Sequence, residues 1–232
     1  MELSQATVLV TGGATGIGLA TARAMAEGGA QIAVCGRRPE PLQRAREEFG
    51  FAAIQGDVSV EADALRIVSE ANDALGGLNV LINNAAFGTF AKLVDTDAAD
   101  MTRVLATNVV GATLMARECA KLFIAGDGGT IVNVGSTASN KGFPGGSTYA
   151  ASKFALSALT ECWRAELRQH DIRVMQVNPS EVQTGFGGRD EPTEFNPSKL
   201  RAEDCAHLIV SLITLADRGF VTDATLWATN PQ

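Results

Sequence analysis

Seven short apolar runs, at residues 7–11, 31–36, 52–55, 79–83, 130–135, 172–178 and 224–227, recur along the chain with helix-like stretches between them. A run that is apolar at consecutive positions leaves no face for water, so it must be covered on both sides. Strands that alternate with helices and are covered on both faces fit one architecture: an α/β doubly wound parallel sheet of about seven strands between two helix layers. A length of 232 residues suffices for one such domain. No internal repeat, low-complexity tract or Pro/Gly/Ser linker divides the chain, so residues 1–232 read as a single domain. Residues 185–198 interrupt the alternation with a glycine-rich, proline-containing stretch that suits a lid over strand ends.

Composition narrows the partners. With a net charge of −7 and no basic stripe, the chain lacks the cationic footprint that a polyanion needs, so no nucleic-acid partner is expected. No stretch of about 18 apolar residues is present, and residues 1–5 lack the basic and apolar parts of a signal peptide. A cytoplasmic protein without a membrane span is expected. Cys35, Cys119, Cys162 and Cys205 lie far apart, with His170 and His207 as the sole imidazoles, a pattern that predicts four buried thiols and no metal site.

The first apolar run leads directly into Thr11-Gly12-Gly13-Ala14-Thr15-Gly16-Ile17-Gly18 and then into a helical stretch. A glycine turn between strand and helix, here spaced G-x-x-x-G-x-G, lets the backbone approach a pyrophosphate. The free N–H groups and positive dipole end of the helix attract that group. A glycine-rich turn without a ligand is the bland alternative, since a lone glycine pattern recurs by chance. Asp57-Val58 follows the third run, where a carboxylate can accept from an adenine amino group or simply serve a turn or helix cap. Asn83-Asn84-Ala85-Ala86 closes the fourth run, with amides able to tie neighbouring strands and small residues that admit a ribose. At the end of the second run stands Gly36-Arg37-Arg38. An acidic residue there would hold the ribose 2′-hydroxyl of NAD, whereas arginine favours the 2′-phosphate of NADP. Arg37 and Arg38, with no Asp or Glu across residues 35–38, select NADP(H) over NAD(H).

The sole tyrosine, Tyr149, precedes Lys153 by four residues, one helical turn, so the two share a face. A phenol that titrates near pH 10 is a poor acid or base at neutrality until a cation stabilises its phenolate. Tyr149 is therefore the first candidate for proton transfer, although on the pair alone ordinary packing with a snorkelling lysine explains the spacing as well. Ser136 closes the fifth run, where a hydroxyl can orient a substrate oxygen, with Thr137 and Ser139 as competitors. Asn108 interrupts an otherwise apolar helical run that includes Met101, Val104, Leu105, Val109 and Met115, and a buried amide there needs partners.

With residues 11–18, 83–86, Asn108, Ser136 and residues 149–153 in this order, the chain resembles the short-chain dehydrogenase/reductase family in its short single-domain branch, and within it the 3-oxoacyl-carrier-protein reductases and carbonyl reductases. Ser136 lies 13 residues before Tyr149, the family's spacing, and the resemblance covers almost the whole chain. It implies a Rossmann-like fold with Gly12, Thr15, Gly16, Ile17, Gly18, Arg37, Arg38, Asp57, Val58, Asn84 and Ala85 on the dinucleotide. It also implies that Tyr149 is the general acid or base, and that Lys153 lies near the phenol and holds the nicotinamide ribose. Ser136 would orient the substrate oxygen. Asn108 would hold a helix distortion and a water that links Lys153 to solvent. The charges of Lys153 and an oxidised nicotinamide, with the helix start, are expected to bring the phenol pKa toward working pH.

The stretch Asn178-Pro179-Ser180-Glu181-Val182-Gln183-Thr184 resembles the family's N-x-x-P-G-x-[VI]-x-T in its latter part, which implies contacts from Pro179, Val182 and Thr184 to the nicotinamide. Ser180 replaces the usual glycine and would be strained at a positive φ, while Glu181 brings a charge close to the ring. Phe87, Phe90, Phe143, Phe186 and Phe195 lie on loops that the family folds over substrate. The tail after Leu226 differs from the family's Asp-Gly-Gly ending, and Asp223 replaces a glycine of the preceding turn. Phe154, Leu156, Leu159, Trp163 and Leu167 present more apolar surface than one sheet face needs, so a homodimer or homotetramer is expected.

The resemblance implies an NADP(H)-dependent oxidoreductase that interconverts a ketone or aldehyde with an alcohol and needs no metal. A 3-oxoacyl thioester reductase is the alternative. It would show basic residues to an acidic carrier, and Lys141, Arg189 and Lys199 alone stand out, which favours a small-molecule carbonyl. A catalytically silent NADP-binding protein is the rival from another class; the complete set of Asn108, Ser136, Tyr149 and Lys153 counts against it. An epimerase or dehydratase of the family's extended branch would need a larger C-terminal domain.

Overall fold

The computed structural model describes residues 1–187 and 194–229. Seven strands lie where the apolar runs are: β1 Thr7–Thr11, β2 Gln31–Gly36, β3 Ala52–Gln55, β4 Val80–Asn83, β5 Gly129–Val134, β6 Ile172–Pro179 and β7 Asp223–Leu226. All pair in parallel, in the order β3-β2-β1-β4-β5-β6-β7. The helices are α1 Gly16–Glu27, α2 Pro39–Phe49, α3 Glu61–Leu75, α4 Ala98–Leu105, α5 Ala112–Ala125, α6 Ser147–Leu167 and α7 Ala202–Ile213. Pro39 opens α2, where no backbone donor is needed. Gly50 and Gly76 close α2 and α3 in the left-handed conformation that a side chain would disfavour.

Side chains alternate across a strand, so consecutive apolar residues feed two cores. Val8 and Val10 of β1 point toward Met25 of α1, Leu42 of α2 and Ile209 of α7, while Leu9 points toward Ile67 of α3 and Met115 and Phe123 of α5. Burying a side chain of this size contributes about 1.5–3 kcal/mol, which accounts for strands with no wet face.

The chain runs outward from β1 to β3 and then returns to lay β4 on the other side of β1. At such a reversal the following connections diverge, and a crevice opens beyond the carboxyl ends of the strands. Between α4 and α5 the helix widens into a π-helical segment, Ala106–Gly111, with Asn108 inside it. Extra turns of this kind often mark functional positions.

Three expectations are corrected. Cys162 is exposed on α6, so three of the four thiols are buried rather than all. The apolar excess of α6 is narrower than expected: Leu156 is in the core, Trp163 and Leu167 pack beside Ile172 and Val174, and Phe154 is the residue of that set left largely exposed. Asp223, placed by the sequence in the turn before the last run, instead begins β7, with its carboxylate 3.1 Å from the Arg164 guanidinium. No helix among the described residues is long and apolar enough to cross a membrane.

Candidate active site

The crevice at the β1/β4 reversal is a cleft of about 1280 Å³, lined from Gly12 at one end to Tyr149 and Phe186 at the other. That exceeds the roughly 300–1,000 Å³ of a site for one drug-sized ligand, which leaves room for more than one group.

At the first end, Gly12 and Gly16 have φ of 61° and 52°, a region open to glycine. A Cβ on Gly18 would lie 2.4 Å from the Gly12 carbonyl oxygen and 2.5 Å from Asn84 Nδ2. The turn is closed against the loop after β4: Asn84 Nδ2 donates to Thr11 O at 2.9 Å, and the Asn84 and Ala85 amides both donate to Thr11 Oγ1 at 3.0 Å. Thr15, ahead of α1, makes no side-chain cap and the first turn carries no acidic residue. The helix therefore presents uncapped N–H groups and its positive end to the cleft, which fits a pyrophosphate. Thr11 was not singled out in the sequence, where a threonine ending a strand has no distinctive signal.

Arg37 and Arg38 both line the cleft. Arg37 lies 3.8 Å from Asp57 across an exposed pair and 5.9 Å from the Phe87 ring centroid. Asp57 realises the turn alternative, its Oδ1 accepting from the Ser59 amide at 2.9 Å and hydroxyl at 2.7 Å, yet it and Val58 also face the cleft. Pro179, Val182 and Thr184 line the opposite wall, with Thr184 Cγ2 3.5 Å from where a Cβ on Gly16 would stand.

At the other end the three expected side chains meet. Ser136 and Tyr149 line the same end of the cleft, the Ser136 hydroxyl accepting from the Ala138 amide at 3.1 Å, and Lys153 Nζ lies 5.8 Å from the phenol ring centroid and donates to Val134 O at 2.8 Å. Ser139 is instead buried and accepts from the Ser136 amide at 3.2 Å, which removes it as a competitor. Asn108 Oδ1 accepts from the Phe87 amide at 3.0 Å, and its Nδ2 donates to Phe87 O at 2.9 Å and Ser152 Oγ at 3.0 Å. Ser152 Oγ in turn donates to Tyr149 O at 2.7 Å, so the π segment ties the loop after β4 to the first turns of α6.

A buried amide network that spacing along the chain does not reveal carries these elements. Asn83 Nδ2 donates to Asn133 Oδ1 at 3.1 Å, Asn133 Nδ2 to Thr160 Oγ1 at 2.8 Å, and Thr160 Oγ1 to Gln176 Oε1 at 3.0 Å. Gln176 Nε2 then donates to Asn178 Oδ1 at 2.8 Å, which also accepts from the Ser136 amide at 3.2 Å. The chain of bonds locks β4, β5, β6 and α6 together beneath Ser136, and satisfied buried networks of this kind specify one geometry.

Burial pushes the Tyr149 phenol above its ordinary value, and the Ser136 hydrogen bond offsets only part of that. Burial also pulls the Lys153 ammonium from 10.5 down to about 8. The protein's own groups therefore do not bring the phenol toward neutrality. Between about pH 8 and 10.5 the unfolded chain holds a Lys153 proton that the folded chain has released, so this group's contribution to stability rises with pH across that window. Below pH 8 both states are protonated and the burial penalty, on the order of 3 kcal/mol, is present in full. Lys153→Met should accordingly raise the urea midpoint of the ligand-free protein at pH 7, even after losing a hydrogen bond worth about 1 kcal/mol, and should remove the rise above pH 8. Parallel stability–pH curves for parent and variant would refute the penalty.

One departure from the family pattern turns out differently from expectation. Asp171 is the one positive-φ residue other than glycine among the described residues, so Ser180 carries no such strain; its amide donates to Leu226 O at 2.8 Å. Glu181 lines the cleft, with Lys199 Nζ 3.4 Å from its carboxylate. Phe87, Phe90, Phe143 and Phe186 line the cleft, joined by Trp227, which the sequence did not mark out. Phe195 does not; it packs under the Arg201 guanidinium at 4.6 Å. Part of the expected lid, residues 188–193 including Arg189, lies outside the described residues, as does the tail from 230.

A glycine turn that opens a helix onto the reversal point of a parallel sheet defines a dinucleotide-binding α/β protein of Rossmann-like architecture. Residues 6–194 match the family model described as short chain dehydrogenase, and the chain belongs to that family. It is 35% identical over 193 residues to an uncharacterized oxidoreductase, YxnA, of Bacillus subtilis (strain 168), a match covering 80% of this chain and 54% of that protein. The chain thus spans about half the length of that relative. It is 37% identical over 177 residues to the 3-oxoacyl-[acyl-carrier-protein] reductase of Bos taurus, with 75% of each covered. The closed form of a serine dehydrogenase complexed with NADP+ superposes with a TM-score of 0.88 at 25% identity, over 94% of this chain and 93% of that one.

Proposed function

We propose that the protein is an NADP(H)-dependent oxidoreductase that interconverts a ketone or aldehyde and the corresponding alcohol, with Tyr149 as general acid and base. The observation that carries this reading is that Ser136, Tyr149 and the buried Lys153, one helical turn from that tyrosine, meet at the far end of a cleft that begins on the uncapped start of α1. When bound, the reduced nicotinamide supplies a hydride to the carbonyl carbon. Tyr149 gives its proton to the carbonyl oxygen, and Ser136 holds that oxygen in line with the phenol. Lys153 exchanges its bond to Val134 O for the ribose hydroxyls, and its charge favours the phenolate left behind. A positively charged ring beside the phenol adds the stabilisation that the protein's own groups lack. Asn108 keeps Phe87 and the first turns of α6 in register with this site.

Arg37 and Arg38 support a preference for the 2′-phosphorylated dinucleotide, and the NADP+ complex of the serine dehydrogenase is in keeping with it. The Arg37–Asp57 contact is long and exposed, so turning the guanidinium to a phosphate costs little. A charge-assisted hydrogen bond is worth about 1.5–3 kcal/mol, so Arg37→Asp should lower the preference for NADPH over NADH by about 10- to 100-fold. An unchanged ratio of kcat/KM values would remove Arg37 from the phosphate site.

The proposal includes self-association, because exposed Met101, Val110 and Phe154 lie on α4, the π segment and α6, which pack beside one another. Oxidation of NADPH and NADH in the presence of ketones, aldehydes and 3-oxoacyl thioesters tests the main reading. NADPH consumption with simple ketones supports it, and consumption with thioesters alone would favour the acyl thioester reductase named for the bovine relative.

A further inference from the structure

Three phenylalanine rings from three loops cluster beside Tyr149, two of them against its ring and the third against Phe90. Phe90 follows β4, Phe143 follows β5 and Phe186 follows β6. The Phe186 and Phe90 ring centroids lie 5.5 and 5.8 Å from that of Tyr149, and Phe143 lies 6.2 Å from Phe90, all tilted. These are the separations at which aromatic pairs attract beyond simple burial. The rings are seated on glycines. A Cβ on Gly88 would stand 3.0 Å from Tyr149 Cδ2 and 3.2 Å from Phe90 Cζ, one on Gly187 would stand 3.4 Å from Phe90 Cε2, and one on Gly146 would strike the Phe143 ring at 2.4 Å. Despite this seating Phe90 and Phe143 remain 52% and 44% exposed. Fixed apolar rings left wet at the mouth of a cleft are surface awaiting a partner. Trp227 adds a further aromatic ring to the cleft lining, and Glu181, which also lines it, has Lys199 Nζ 3.4 Å away.

We infer that the substrate is a ketone that carries an aryl group within about two carbons of its carbonyl, and that Phe90, Phe143 and Phe186 determine this specificity. The inference rests on the carbonyl chemistry proposed for Tyr149. The aryl ring packs among the three phenylalanines while the carbonyl oxygen meets the phenol and Ser136. In the reductive direction the carbonyl carbon gains the hydride and its oxygen the tyrosine proton; the ketone becomes a secondary alcohol and the reduced dinucleotide is oxidised. A straight-chain group of equal carbon count buries as much apolar surface but offers no ring edge or face.

The test compares 4-phenyl-2-butanone with 2-decanone, two methyl ketones of ten carbons. The parent should favour the aryl ketone by about tenfold in kcat/KM, and Phe90→Leu and Phe143→Leu should each bring that ratio toward one. A preference for 2-decanone, or a ratio that both variants leave unchanged, overturns the inference. If neither ketone is turned over, calorimetry on the NADPH-loaded protein decides the aryl site by itself, while the wider substrate panel decides the oxidoreductase reading. Binding of 4-phenyl-2-butanone about tenfold tighter than 2-decanone, and weakened by Phe90→Leu, supports it; equal or absent binding of the two overturns it.

Discussion

Tyr149→Phe is expected to lower kcat by about 10²- to 10⁴-fold, the usual contribution of a positioned general acid, while leaving NADPH affinity near that of the parent. The substitution removes only the hydroxyl. The ring keeps its contacts with Phe90 and Phe186, and Ser152 Oγ still donates to the backbone oxygen of residue 149. Removing a single oxygen opens no large cavity, and the Ser136 hydroxyl keeps the bond it accepts from the Ala138 amide. Single-turnover NADPH oxidation, with binding followed separately by fluorescence, distinguishes the two quantities. Comparable turnover in the variant would remove Tyr149 from the proton-transfer role.

Gly18→Ala should have the second large effect, and on binding rather than chemistry. The added methyl would lie 2.4 Å from the Gly12 oxygen, a backbone atom that cannot turn away as a flexible side chain could. In the ligand-free protein the turn can relax by giving up the bonds from Asn84 Nδ2 to Thr11 O and Gly12 O. With a pyrophosphate seated on the start of α1, the turn is held and the clash persists. Overpacking of this kind costs about 1–3 kcal/mol, which corresponds to roughly 5- to 150-fold weaker NADPH binding. Titration of the folded variant with NADPH measures it, and parental affinity would show that the turn is not where the dinucleotide sits.

Much of this molecule is legible in one dimension. Alternation of apolar runs with helical stretches locates all seven strands, because a parallel sheet covered on both faces needs uninterrupted apolar residues at each strand. The cluster of Gly12, Gly16 and Gly18 marks the helix start, since positive φ and close approach restrict those positions to glycine. Other features depend on neighbours that are distant in sequence. Ser136 and Ser139 are equivalent by composition, and the fold separates them by leaving one on the cleft that Tyr149 lines and sending the other into the interior. Cys162 reads as buried until α6 is oriented, and Ser180 reads as strained until its φ is seen.

By itself, then, the sequence determined the sheet, its order of elements along the chain, the helix that faces a phosphate and the tyrosine–lysine pair, because each rests on spacings shorter than one or two turns of backbone. Tertiary structure alone decided how the phenol is surrounded. Asn83, Asn133, Thr160, Gln176 and Asn178 come together only once β4, β5 and β6 lie side by side, and Phe90, Phe143 and Phe186 meet only once three loops converge on one end of the sheet. Burial raises the Tyr149 pKa and lowers that of Lys153 for the same reason: desolvation is a property of everything packed around a group, and no local spacing encodes it.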